Sequence, residues 1–134
     1  MGVNMANNLF KFNEQANKYQ NKKITVAGEK FDSMKEYNRY CELKMLERSG
    51  IITDLKRQVK YILIPAQYEP DIIGARGGRK KGKLLERECA YLADFVYKEN
   101  GLEVVEDTKG VKTADYIIKR KLMLHKHNIK IKEL

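Results

Sequence analysis

Apolar and polar positions alternate with a period of two along two stretches that meet at Asn100-Gly101. Ala90-Tyr-Leu-Ala-Asp-Phe-Val-Tyr-Lys-Glu99 precedes the pair, and Leu102-Glu-Val-Val-Glu-Asp-Thr-Lys-Gly110 follows it. Both runs are rich in aromatic and β-branched residues. Asn-Gly supplies the positive φ that a type I′ turn needs at both central positions, so the stretch predicts a β-hairpin. A two-residue loop pairs Glu99 with Leu102, and counting outward brings Asp94 opposite Asp107. That pair falls at a non-hydrogen-bonded position, where facing Cα atoms approach to about 4.5 Å. Alternation puts Lys109, Val105 and Val96 on the face of Asp107 and Glu106 on the other.

The rest of the chain is read around this hairpin. Lys23–Val26 is β-prone, and Gly28 begins a turn toward Lys30-Phe31, a short strand or hairpin. Ser33-Met-Lys-Glu36 has capping-box spacing, and a helix follows to about Arg48, where Ser49-Gly50 ends it. Glu36 shares a face of that helix with Tyr40 and Leu43, so it points inward. Gln58–Ile64 reads as a strand ended by Pro65, with apolar residues on both faces and therefore expected to be covered on both. Leu84–Ala90 reads as a strand returning into the hairpin, and Glu86 and Glu88 extend the acidic face if no bulge intervenes. Thr113 is a candidate N-cap for a helix to about Lys126, whose broad inward face holds Ala114, Ile117, Ile118, Leu122 and Leu124, with Lys121 and His125 near its middle. Asn128–Leu134 alternates as a final strand, and the strand–helix–strand connection implies a parallel, right-handed crossover. The order is helix, three strands, helix, strand: an α/β fold with a mixed sheet flanked by helices.

Composition adds a partner. The 134 residues hold 27 Lys and Arg against 18 Asp and Glu, a net charge of +9 that favours a polyanion. The cations are concentrated in Gly74–Lys83, which carries Arg76, Arg79, Lys80, Lys81 and Lys83, four glycines and no acid. This reads as a mobile loop between strands, either a contact to DNA phosphates or a solubilising hairpin tip. Residues 1–22 are polar and rich in Asn, Lys and Gln, a loose arm before a single domain over 23–134. No window is long and apolar enough to span a bilayer and no signal-peptide core appears, so a cytoplasmic protein is expected. Cys41 and Cys89 have no metal-type spacing and read as free buried thiols. His125 lacks a second ligand at matching spacing. There is no Walker motif, dinucleotide fingerprint, Ser/His/Asp or Cys/His signature, which argues against a nucleotide cofactor.

Like charges facing each other across a hairpin destabilise it, so Asp94 and Asp107 need a partner. A hard divalent cation such as Mg²⁺ supplies one, takes carboxylate oxygens and keeps waters for a phosphate substrate. The plainer alternative is a solvated acidic pair neutralised by Lys109. For Glu36, capping is a sufficient structural reason, and a metal-directed carboxylate is the other reading.

Three motifs in this order carry a resemblance: Phe31-Asp-Ser-Met-Lys-Glu36, Tyr91-Leu-Ala-Asp94-Phe95 and Val105-Glu-Asp107-Thr-Lys109-Gly110. The chain resembles the PD-(D/E)xK nuclease superfamily, and most of all its small phage-type members, over about residues 18–134. Ala93 stands where the name-giving motif has proline. The resemblance implies a restriction-endonuclease-like αβββαβ core. It implies catalytic roles for Glu36, Asp94, Asp107 and Lys109, and Mg²⁺ or Mn²⁺ held by Asp94 and Asp107 with help from Glu36 and the carbonyl of Thr108. The expected activity is metal-dependent hydrolysis of DNA phosphodiesters. A single small domain with a basic loop is similar to junction resolvases, which act as homodimers on branched DNA such as Holliday junctions. The alternatives are a general nicking or double-strand endonuclease, and a DNA-binding module that keeps the fold without the chemistry.

Overall fold

A computed structural model describes residues 22–134. The arm expected over residues 1–22 lies outside them, Lys22 excepted. The chain divides into two compact units, ending at Met45 and beginning at Leu46.

In the first unit, β1 (Ile24–Val26) and β2 (Glu29–Phe31) form the short antiparallel hairpin expected before the helix. Ala27 and Gly28 turn it, with φ of 51° and 81°. Phe31 is buried, its ring edge-on to Tyr37 at 5.2 Å and tilted against Tyr40 at 5.3 Å. Helix α1 (Met34–Arg48) starts at the expected cap, where Ser33 Oγ accepts from the Glu36 N–H at 3.1 Å. The reciprocal bond is displaced by one residue: the Glu36 carboxylate accepts from the Asp32 N–H at 2.7 Å. Glu36 and Leu43 are buried, and Cys41 is exposed rather than buried. The helix ends as expected at Gly50, φ 77°, with the Ile51 N–H donating to the Leu46 carbonyl.

The second unit is built on a four-stranded mixed sheet in the order β10 (Lys132–Glu133), β9 (Leu102–Asp107), β8 (Cys89–Glu99), β3 (Thr53–Ile64). Asn100 and Gly101, φ 52° and 76°, turn β8 into β9, and Glu99 pairs with Leu102 as the Asn-Gly signal requires. Helix α2 (Ala114–His127) connects β9 to β10, which pair in parallel. The mixed α/β order of helix, three long strands, helix and strand is the expected one. β10 is shorter than the alternation of Asn128–Leu134 suggests, because Asn128 caps α2 in the left-handed region and only Lys132 and Glu133 join the ladder.

On two elements the covered face differs from the one that periodicity predicts. On β3 only the side carrying Val59, Tyr61 and Leu63 is covered, by α2; Ile62 and Ile64 on the other side are 37% and 41% exposed. On α2 the inward line is Tyr116 and Met123, seven residues apart, with Ile117 and Leu122 half-buried. Ile118 and Leu124 are more than half exposed and His125 is exposed. The large Tyr116 ring takes the inward position that the apolar pattern predicts for Ile118 and Leu124.

The cationic segment is not an irregular loop. Between β3 and β8 the chain forms a two-stranded arm of short ladders: β4 (Gln67–Tyr68) with β7 (Leu84–Glu86), and β5 (Ile72–Ile73) with β6 (Arg79–Lys80). Gly77, φ 79°, closes the tip, where the Gly74 N–H donates to the Gly78 carbonyl at 2.7 Å. At Gly82 the two strands pass so closely that a Cβ would lie 1.9 Å from the Glu69 carbonyl oxygen. The break at Arg87-Glu88 and a register shift between Ile62 and Ile64 cancel the parity that would have aligned Glu86 and Glu88 with Asp94. Glu86 faces Gln67, and Glu88 pairs with Lys60. Among the described residues, no helix is long and apolar enough to cross a membrane.

Candidate active site

The β8–β9 ladder ends at the pair Phe95 with Glu106; one step further along lie Asp94 and Asp107. The two carboxylates meet there, as the turn requires. Asp107 is 1% exposed, and its oxygens are held from two directions: the Tyr91 hydroxyl donates to Oδ2 at 2.6 Å, and the Lys109 N–H donates to Oδ1 at 2.8 Å. Asp94 is half-buried. Its Oδ2 accepts from both the backbone N–H and the hydroxyl of Thr108, at 2.9 and 2.8 Å, while Oδ1 has the Gln58 amide nitrogen at 3.5 Å. Burial pushes the Asp94 carboxyl above its ordinary range; the Thr108 backbone bond opposes this, and the charge of Asp107 adds to it.

Lys109 completes the cluster. Its Nζ lies 3.8 Å from Asp107 Oδ2, 4.6 Å from the centre of the Tyr116 ring and 5.7 Å from that of Tyr91. The two ring faces confine the ammonium beside the carboxylates while leaving its side chain 45% exposed. Burial raises the Tyr91 phenol well above its ordinary value, with the Asp107 bond adding to the effect. Burial also pushes Tyr116 up to about 12, reinforced by the charge of Asp107. The Tyr116 hydroxyl is buried and has no hydrogen-bond partner among the described residues.

Neighbouring acids are committed elsewhere. Glu106, fully buried on the opposite face, accepts from the Tyr97 hydroxyl and has Lys132 Nζ at 3.6 Å. Glu133 stands beside Asp107 in the parallel ladder but is ion-paired with Lys112 at 2.7 Å and Arg120 at 2.9 Å, which hold its carboxyl below the usual range. The Leu134 N–H donates to the Asp107 carbonyl at 3.0 Å, fixing the acid's backbone from the β10 side.

Of the expected site residues, Asp94, Asp107, Thr108 and Lys109 therefore come together. Glu36 belongs to the first unit, where its carboxylate serves the α1 cap. Arg76, Arg79, Lys80, Lys81 and Lys83 all stand exposed on the arm; Arg79 Nε is 3.4 Å from Asp71 and Lys81 Nζ lies 4.0 Å over the Tyr68 ring. Sequence reasoning missed Tyr91, Tyr116 and Gln58. Strict alternation hides Tyr91, three residues from Asp94 and so nominally on the opposite face. In the sequence Gln58 marks only the start of a predicted strand. It has φ 52° in the middle of β3, between the regular pairs Arg57 with Phe95 and Val59 with Ala93, which places it across from Asp94.

Among the described residues, no three His, Cys, Asp or Glu side chains gather into a metal cage. The donor set that is present is two carboxylates of one site, all oxygen, with a raised Asp94 pKa of the kind an adjacent cation relieves. That chemistry fits a hard divalent ion bound through one or two carboxylates, water and substrate phosphate, and suits neither zinc nor a soft metal.

A family model described as "Protein of unknown function (DUF1064)" matches residues 16–133. The chain belongs to this family. The matched range takes in all four long elements of the second unit and every residue of the acidic cluster. Comparison with curated proteins and with solved structures finds no match.

Proposed function

We propose that this DUF1064 chain is a metal-dependent DNA endonuclease with a restriction-endonuclease-like core, selective for branched DNA such as a Holliday junction. The observation that carries the reading is the meeting of Asp94 and Asp107 at the end of the hairpin, with the Lys109 ammonium 3.8 Å from one of them. Two acids and a lysine at the spacing of Asp94, Asp107 and Lys109 are what the resemblance to PD-(D/E)xK nucleases rests on, and the order of the long elements agrees with that core. The net charge of +9 and the cationic arm support a polyanionic substrate.

Asp94 and Asp107 would hold Mg²⁺ or Mn²⁺, with the Thr108 carbonyl as a further oxygen donor. Bound there, the ion supplies Lewis-acid polarisation of a phosphoryl oxygen and a lowered pKa for water. Tyr91 and the Lys109 backbone fix the Asp107 carboxylate, so its oxygens do not reorient when phosphate arrives. Thr108 does the same for Asp94. The Lys109 ammonium, confined by the Tyr116 and Tyr91 rings, stabilises the negative charge that develops on the phosphorane and orients the attacking water. The reading rests on second-unit residues alone. Paired cuts across a junction require two such sites and hence a homodimer.

One observation favours a second reading. Asp94 Oδ2 and both Asp107 oxygens already accept hydrogen bonds from the protein, as they would in a DNA-binding module whose acidic hairpin is only structural. Nicking of supercoiled plasmid in Mg²⁺ against EDTA separates the two readings. The endonuclease nicks only with metal, whereas the module nicks in neither. Four-way junction against linear duplex of the same arm sequence then tests selectivity: symmetric paired cuts in the junction are expected, and preference for the linear duplex removes junction resolution from the proposal.

A further inference from the structure

The arm between β3 and β8 has an unusual tip. Ile72 faces Lys80 and Ile73 faces Arg79 across the β5–β6 ladder, so each face of the ribbon carries one isoleucine beside one cation. Ile72 is 57% and Ile73 81% exposed, with no second layer over either among the described residues. An apolar pair this open is a poor ending for a solvated tip, and the turn beside it is closed rather than frayed. Gly74 and Gly78 are bonded across it, the Gly82 N–H donates to Asp71 Oδ1 at 3.2 Å, and the Glu69 N–H donates to the Lys83 carbonyl at 2.8 Å. The element is thus a preformed two-stranded ribbon, apolar and cationic on both sides at its end.

We propose that the tip inserts into DNA at a branch point. Ile72 and Ile73 act there as wedges against unstacked base pairs, while Lys80 and Arg79 contact the flanking phosphates. The inference rests on the DNA reading above and adds which part of the chain senses branching. A two-stranded β-ribbon fits the width of a major groove. Apolar side chains on minor-groove and architectural proteins insert where stacking is already weak, and a junction centre offers such steps without the cost of opening a continuous duplex. Charge selects this occupant over a second copy of the chain: from Glu69 to Lys83 five cations stand against the two acids Glu69 and Asp71, a net +3, so two tips would repel each other. The arm returns through β7 and, after the break at Arg87-Glu88, enters the sheet at Cys89, five residues along β8 from Asp94, or roughly 17 Å of extended strand.

The test is binding without cleavage. The full chain in Ca²⁺ is titrated by fluorescence anisotropy against a four-way junction carrying 2-aminopurine at its centre and against a linear duplex, while sedimentation reports its oligomeric state. For Ile72→Ser/Ile73→Ser, and more weakly for Ile73→Ser alone, we expect junction affinity to fall about tenfold with duplex affinity within twofold, and the 2-aminopurine enhancement to disappear. Arg79→Ala/Lys80→Ala should weaken both substrates and flatten the salt dependence. These isoleucines are exposed, so a loss of thermal stability is not expected. Unchanged junction affinity in the double serine variant overturns the wedge while leaving the nuclease reading standing. A shift of that variant to a smaller oligomer, with DNA binding retained, assigns the tip to a second copy and overturns it as well. Failure of the wild-type chain to bind either DNA removes the underlying reading instead.

Discussion

At the residue scale, two tyrosines beside the acids make opposite predictions from the same deletion. Tyr91→Phe removes the 2.6 Å donor to a buried carboxylate and should cost about 1.5–3 kcal/mol of stability in chemical denaturation. Tyr116→Phe removes a buried hydroxyl that has no partner among the described residues, so the same measurement should show no loss and a gain of up to about 1 kcal/mol. Equal destabilisation by both would mean that the hydrogen bonds are not as placed. Asp94 gives a pH-dependent test. Its folded-state pKa lies above the ordinary 3.8, chiefly through burial, so the ionised form weakens the fold. The contribution that favours folding is therefore fully present below pH 3.8 and is lost as pH rises through the folded pKa. In EDTA at neutral pH, Asp94→Asn should raise the melting temperature, and the difference from wild type should vanish on acidification; a variant less stable at neutral pH would contradict the electrostatics. Asp94, Asp107 and Lys109 were legible because a two-residue turn propagates its register with a period of two. The tyrosines were not: Tyr91 reaches Asp107 from a position that strict alternation sets on the opposite face, and Tyr116 comes from α2, which no spacing relates to the hairpin.

At the element scale, the arm shows how little of a two-stranded ribbon is written in hydrophobic pattern. Its ladders are two residues long, and glycine with charge gives the composition of a mobile loop. What orders it is close backbone passage at Gly82. Gly82→Ala places a methyl against the Glu69 carbonyl, an overpacking cost of about 1–3 kcal/mol that the short ladders cannot absorb. Trypsin cleavage between Arg76 and Lys83 should accelerate about tenfold in this variant while the melting temperature of the sheet stays nearly constant. Cleavage at the wild-type rate would show that the arm is held by something else. The long elements were legible for the opposite reason: Ser33 and Thr113 are caps with a side-chain acceptor in place, and Asn100-Gly101 and Gly50 take up positive φ where the pattern ends. The inward face of α2 differs from the one its aliphatic residues mark, because the Tyr116 ring is covered while Ile118 and Leu124 stand more than half exposed.

At the scale of the whole molecule, the proposed endonuclease rests on two features of the second unit: an acidic pair with a lysine on the β8–β9 hairpin, and a cationic ribbon between β3 and β8. In that proposal the net charge sets the salt dependence of DNA binding, and the hairpin supplies the chemistry. The most direct measurement is cleavage of a labelled four-way junction in Mg²⁺ by the wild-type chain and by Asp107→Asn. This isosteric change keeps the acceptor for the Lys109 N–H and removes one negative charge. The account predicts metal-dependent, paired cuts by the wild type and a loss of at least about a hundredfold in the variant, which stays folded and loses no more stability than Tyr91→Phe. Undiminished cleavage by a pure preparation of folded Asp107→Asn would contradict it.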